Sequence, residues 1–78
     1  MDFSGFYDWL VNEKSMSTRS AKDVLSRCRR ICKYIDSNDI DSKTIDLLNS
    51  NAAFNNQTMF IKSQLRRAVV LWNEFKVQ

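Results

Sequence analysis

The sequence predicts an all-α fold, a compact four-helix domain, and three observations predict it. Four segments repeat their apolar residues at the three-and-four spacing of an α-helix. The stretches between them carry the Ser, Asn and Asp that make caps and turns. The chain has 78 residues with no Pro and one Gly, which excludes a turn-rich all-β domain and a collagenous chain, and 44% hydrophobic residues exclude a disordered one. A chain of this length makes one domain, burying roughly 60–65% of its unfolded surface. Helices are expected at about 3–14, 18–36, 43–49 and 57–76.

In the first segment Phe3, Phe6, Tyr7 and Leu10 fall on one side of a helical wheel, Trp9 sits at the flank, and Ser4 or Asp2 is the expected N-cap. In the second, Ser17 caps a helix whose apolar positions are Ala21, Val24, Leu25, Cys28, Ile31, Cys32 and Ile35. Those seven lie within about 120° of arc. Opposite them stand Arg19, Lys22, Ser26, Arg29, Arg30 and Lys33, with Asp23 at the edge as the acid nearest this face. The turn-forming run Asp36-Ser37-Asn38-Asp39 closes the helix. A short third helix is expected after Ser42 or Asp41 as cap, with Ile40, Ile45 and Leu48 inward. Residues 49–56 are expected as a loop in which Ala52, Ala53 and Phe54 dock on the core. The last helix spreads Phe60, Ile61, Leu65, Ala68, Val69, Leu71, Trp72 and Phe75 over the wide arc of a central helix. On its polar side Met59, Val70 and Val77 share a narrow sector, a candidate contact surface for a protein partner or a second copy.

Much chemistry is excluded. There is no His, so no imidazole base or ligand exists. Cys28 and Cys32 stand one helical turn apart, but zinc wants four N or S ligands and none completes the set; on the apolar stripe they read as core. The run Asp36 to Asp41 resembles the start of a calcium loop, yet lacks the Gly at the sixth position and the closing Glu. No Gly-rich elbow or phosphate-cradling loop is present. The expectation is a non-enzyme with no catalytic residues, no metal, no cofactor and no small-molecule substrate.

Two cysteines are too few for a secreted disulfide framework, and no basic segment leads into an apolar h-region. The longest apolar run, Ala68 to Trp72, is far short of the ~20 residues that span a bilayer. The expected setting is the reducing cytoplasm, without a membrane partner. Twelve Lys and Arg against nine Asp and Glu give a net charge of +3. That excess is informative because the second helix segregates it on one face, where it matches the phosphates of duplex DNA. Lys62, Arg66 and Arg67 of the last helix are further candidates.

The run Met16-Ser17-Thr18-Arg19-Ser20-Ala21-Lys22-Asp23-Val24, continuing to Cys28, Ile31 and Ile35, resembles the SAM-like core-binding domain of tyrosine recombinases and phage integrases. Phe3, Phe6 and Leu10 look like its first helix, and 65–75 is similar to its closing helix, so the likeness covers most of the chain. Ser20 stands where that family usually has Thr, and Val24 where an aromatic is common. The family's catalytic Arg, His and Tyr have no place here, so recombinase activity does not carry over. The resemblance implies a four-helix domain that packs on duplex DNA, as a fragment of a longer protein or a free-standing protein of phage or prophage origin. By position, the contacts it implies are Ser17, Arg19, Lys22, Arg29, Arg30 and Lys33, with Arg66 and Arg67. The alternative expectation is a small phage-encoded inhibitor or adaptor that binds a protein.

Overall fold

The structure, a computed structural model, describes residues 3–77. Five helices follow in order: α1 (Phe3–Asn12), α2 (Thr18–Tyr34), α3 (Thr44–Asn49), α4 (Ala52–Asn55) and α5 (Met59–Lys76). No strand occurs among the described residues. The fold is all-α as expected, with five helices where four were predicted. The added one, α4, is a single turn inside the stretch read as a loop. Asn51 makes it, since its Oδ1 accepts the Phe54 N–H at 2.9 Å while Phe54 is driven into the core.

Helix ends are set by specific backbone groups. Ser17 caps α2 as predicted, its Oγ accepting the Ser20 N–H at 3.1 Å. Thr58 does the same for α5 through Ile61, so that helix begins at Met59 and not at 57. Asp36 adopts a left-handed φ of 50°, and the Ser37 N–H returns to the Cys32 carbonyl at 3.1 Å, so α2 stops at Tyr34 and not at 36. Ser15, at φ 54°, likewise turns the chain after α1, which ends at Asn12, two residues early.

Two capping expectations change. Ser4 lies inside α1 and is not its cap; the alternative, Asp2, lies outside the described residues. At α3 the cap position is Lys43, without a side-chain bond. Asp41 nonetheless shapes the entry: its Oδ1 accepts the Lys43 N–H at 2.8 Å, and its own N–H donates to Thr44 Oγ1 at 2.9 Å. With Asp39 Oδ1 accepting the Ile40 N–H, the acids of 36–41 serve turns and caps. Among the described residues no group of three potential ligands could hold a metal ion.

The core is the apolar stripe of α2 laid on α1 and α5. Ala21, Val24, Leu25, Cys28 and Ile31 are buried, and Cys32 and Ile35 are half-buried at its edge. Phe6, Trp72 and Phe75 form an aromatic centre, with Phe6 edge-on to Trp72 at 4.9 Å and 5.4 Å from Phe75. Trp9, expected at the flank, is buried because Phe6 and Phe75 both pack on it. Trp72 also donates its indole N–H to the Ile40 carbonyl at 3.0 Å, fastening the turn after α2 to α5.

Three apolar expectations fail at the α4 end. Ala52 and Ala53 are exposed, since one helical turn can present only Phe54 inward. Phe60, in the first turn of α5, is 71% exposed. No helix among the described residues is long and apolar enough to cross a membrane.

Candidate nucleic-acid interface

Helix α2 carries six cations and one acid over its length. Packing its apolar stripe inward turns the opposite side out, so Arg19, Lys22, Ser26, Arg29, Arg30 and Lys33 are all exposed. Projected at 100° per residue they occupy about 100° of arc. From Arg19 to Lys33 the ridge runs about 21 Å at the helical rise. One DNA strand offers a phosphate every ~3.4 Å of axis, so about six phosphates lie opposite.

None of these cations pairs with a described carboxylate. The ion pair among the described residues is Lys14–Glu74, which ties the turn after α1 to α5. Asp23 is exposed and makes no ion pair with a neighbour. The side chains that do hold the ridge are neutral. Arg30 donates from Nε to Tyr34 Oη at 3.1 Å and from Nη2 to Gln57 Oε1 at 3.2 Å. Its guanidinium sits 5.6 Å from the Tyr34 ring centroid, and that of Arg29 sits 4.9 Å from Phe3. Such contacts orient a guanidinium without cancelling its charge.

Half-buried Arg66 of α5 reaches the Phe54 ring that Tyr34 of α2 also meets, and Arg67 stands elsewhere on α5. Tyr34 meets Phe54 edge-on at 6.2 Å, and the Arg66 guanidinium covers Phe54 at 5.3 Å. Arg66 Nη2 also donates to Asn49 Oδ1 at 2.9 Å, so Arg66 holds the end of α3. Arg67 is exposed about 100° further round α5. Lys62 is half-buried. Ser17 is committed to capping, accepting from the Ser20 N–H and donating to Ser20 Oγ at 3.0 Å. Met59, Val70 and Val77 are exposed as expected, at 71%, 44% and 84%.

Beside the ridge runs an open groove of about 480 Å³ lined by Phe3, Arg29, Cys32, Lys33 and Asn38. Burial pushes Cys32 above the ordinary thiol value, and burial, reinforced by Cys32 and opposed by Arg29, pushes Cys28 up to about 12. Cys28 therefore stays protonated in the folded chain, and the stability this gives is lost as pH rises from about 9 towards about 12. In native protein at pH about 8, iodoacetamide is expected to leave Cys28 unmodified, and to label it once urea unfolds the chain. Mass spectrometry reads the result; alkylation of native Cys28 at the rate of a free thiol would contradict its burial.

Gln57, Tyr34 and Asn49 are the supporting residues that sequence reasoning missed. The Arg30–Tyr34 contact had a legible signal, the i, i+4 spacing. Arg66 and Asn49, seventeen residues apart, had none. Comparison of the chain with protein-family models, curated proteins and solved structures finds no match.

Proposed function

We propose that the chain is a non-enzymatic DNA-binding module that docks the α2 ridge on duplex phosphates, in the manner of a SAM-like integrase core-binding domain. The observation that carries this is the set of five exposed α2 cations, Arg19, Lys22, Arg29, Arg30 and Lys33, with no ion pair to a carboxylate among the described residues. Arg66 joins as a sixth contact, and Arg67 is assigned a peripheral one. Ser17 offers the backbone geometry of the α2 start, its hydroxyl being in use. Backbone contacts of this kind position a protein on DNA, while sequence preference needs side chains at base edges.

With five or six phosphates neutralised, affinity is expected to fall by ~10³-fold between 50 and 200 mM salt, and log Kd against log salt should have a slope near 5. Fluorescence anisotropy with a labelled duplex measures it. Absence of duplex binding at 50 mM salt, or a slope below about 2, would reject the assignment.

A second reading is a protein-interaction module, a small phage-encoded inhibitor or adaptor, and what favours it is the exposure of Met59, Val70 and Val77. A complex with a protein that survives 200 mM salt unchanged would select it over phosphate binding.

A further inference from the structure

The open groove beside the ridge gathers three kinds of chemistry in one place. Phe3 and Cys32 give it an apolar lining. The Phe3 ring meets buried Trp72 edge-on at 6.1 Å, and burial holds the Cys32 thiol protonated and neutral. Arg29 and Lys33 are exposed cations one helical turn apart, with Cβ atoms about 5–6 Å from each other, and neither has an ion pair to a carboxylate among the described residues. The Arg29 guanidinium lies over the Phe3 ring at 4.9 Å. Asn38 adds an amide to the wall. At about 480 Å³ the groove falls within the roughly 300–1,000 Å³ of small-molecule sites. An adjoining groove shares Cys32, Lys33 and Asn38 with it, and Asp36 lines that second groove but not the part beside Arg29.

We infer that this groove binds a nucleotide, with its base stacked on the Arg29 guanidinium and its phosphate on Lys33. Bases stack on guanidinium planes as they do on aromatic rings. One face of the Arg29 plane rests on Phe3, which steadies it, and the side chain is exposed for a ring on the other. The N–H donors of a guanidinium lie in its plane, so stacking does not use them up. Lys33, one turn on, then meets the phosphate that the sugar holds away from the base. Asp36 sets the direction, since its carboxylate repels a phosphate from the adjoining groove and keeps it at the Arg29 end. An inorganic anion uses the charge without the plane, and an uncharged nucleoside the plane without the charge. The groove is open on one side, so a dissociation constant on the order of 0.1–1 mM is expected.

Such a nucleotide has two sources, a free nucleoside monophosphate or an unpaired nucleotide at the end of a DNA strand. The second rests on the DNA reading, because the ridge shares Arg29 and Lys33 with the groove and would hold the duplex beside it. The first does not.

The first arm of the test uses the whole chain without DNA, so its failure is separable from a failure to bind duplex. In two-dimensional amide NMR, adenosine monophosphate added to about 10 mM should shift the resonances of Phe3, Lys33 and Asn38 to saturation, and adenosine or inorganic phosphate should each bind at least ~10-fold more weakly. Arg29→Lys keeps the charge and removes the plane, so it should weaken the monophosphate ~5–10-fold and leave phosphate unchanged. Lys33→Gln should weaken the monophosphate and leave adenosine unchanged. Both side chains are exposed, so the thermal melt of each variant should stay close to that of the native chain. The second arm separates the sources. A duplex with a short single-stranded end that displaces the monophosphate better than a blunt duplex does makes the unpaired nucleotide the occupant, and equal displacement makes it the free one. Absence of a saturable shift, phosphate binding as tightly as the monophosphate, or an Arg29→Lys protein that binds the monophosphate unchanged would each overturn the inference.

Discussion

Replacing Arg29, Arg30 and Lys33 together by Glu is expected to abolish duplex binding at 100 mM salt while the protein still folds. The change moves the net charge from +3 to −3 and converts three of the five α2 contacts into repulsions. Non-specific affinities of about 10⁻⁴–10⁻⁶ M at physiological salt leave little to lose before binding becomes undetectable. The cost to stability is bounded by what these side chains touch. Arg29 lies on Phe3 and Arg30 on Tyr34, exposed cation–π contacts of about 0.5–1 kcal/mol each, and Arg30 also gives up its exposed hydrogen bonds to Tyr34 and Gln57, at about 0.5 kcal/mol each. The sum, about 2–3 kcal/mol, lowers the melting temperature by roughly 8–24 °C in a domain of this size. A companion variant carrying Gln at the three positions separates charge loss from repulsion: its salt slope should fall by about 2.7, the share of three phosphates. An unchanged slope in that variant, with the circular dichroism of the native helices retained, would remove α2 from the interface.

The same helix shows why part of the molecule was legible in the sequence. Over α2 the apolar and cationic residues alternate with a single period, the cap is a Ser whose oxygen accepts the N–H three residues on, and the stop is an Asp in the left-handed region. Each signal is local, so the ridge could be drawn before its surroundings were known. α4 had no such signal, since four residues cannot display a period of 3.6 and the turn exists only because Asn51 captures Phe54 as it enters the core. Phe60 failed for a related reason. Periodicity places a residue on a face, but burial depends on what stands opposite, and Phe60 in the first turn of α5 is left 71% exposed. The placing of Arg66 over Phe54, and of Phe54 against Tyr34, depended on the packing of three elements, and no spacing within one helix encodes it.

Trp72→Ala is expected to have the largest effect on folding, and to unfold the chain or nearly so. Trp72 is 2% exposed and fills the space between α1 and α5, touching Phe3, Phe6 and Phe75. Truncating a buried Trp costs about 3–5 kcal/mol in lost transfer energy and cavity. The indole N–H is also the donor to the Ile40 carbonyl, so the substitution orphans a buried acceptor at the turn that carries α3. Against a total stability of about 4–12 kcal/mol for a domain of this length, this removes most of what exists. Thermal denaturation followed by far-ultraviolet circular dichroism should show the transition lowered by about 15–30 °C or no longer cooperative. Trp72→Phe divides the effect. It keeps most of the packed volume and loses the hydrogen bond, so a smaller loss of about 1–3 kcal/mol is expected, concentrated where Ile40 meets α5. Faster amide exchange at 40–48 than in α2 would locate that loss. A Trp72→Ala protein melting within about 5 °C of the native chain would mean that the aromatic centre is not what holds α5 against α1, and that α5 could shift and carry Arg66 away from the ridge.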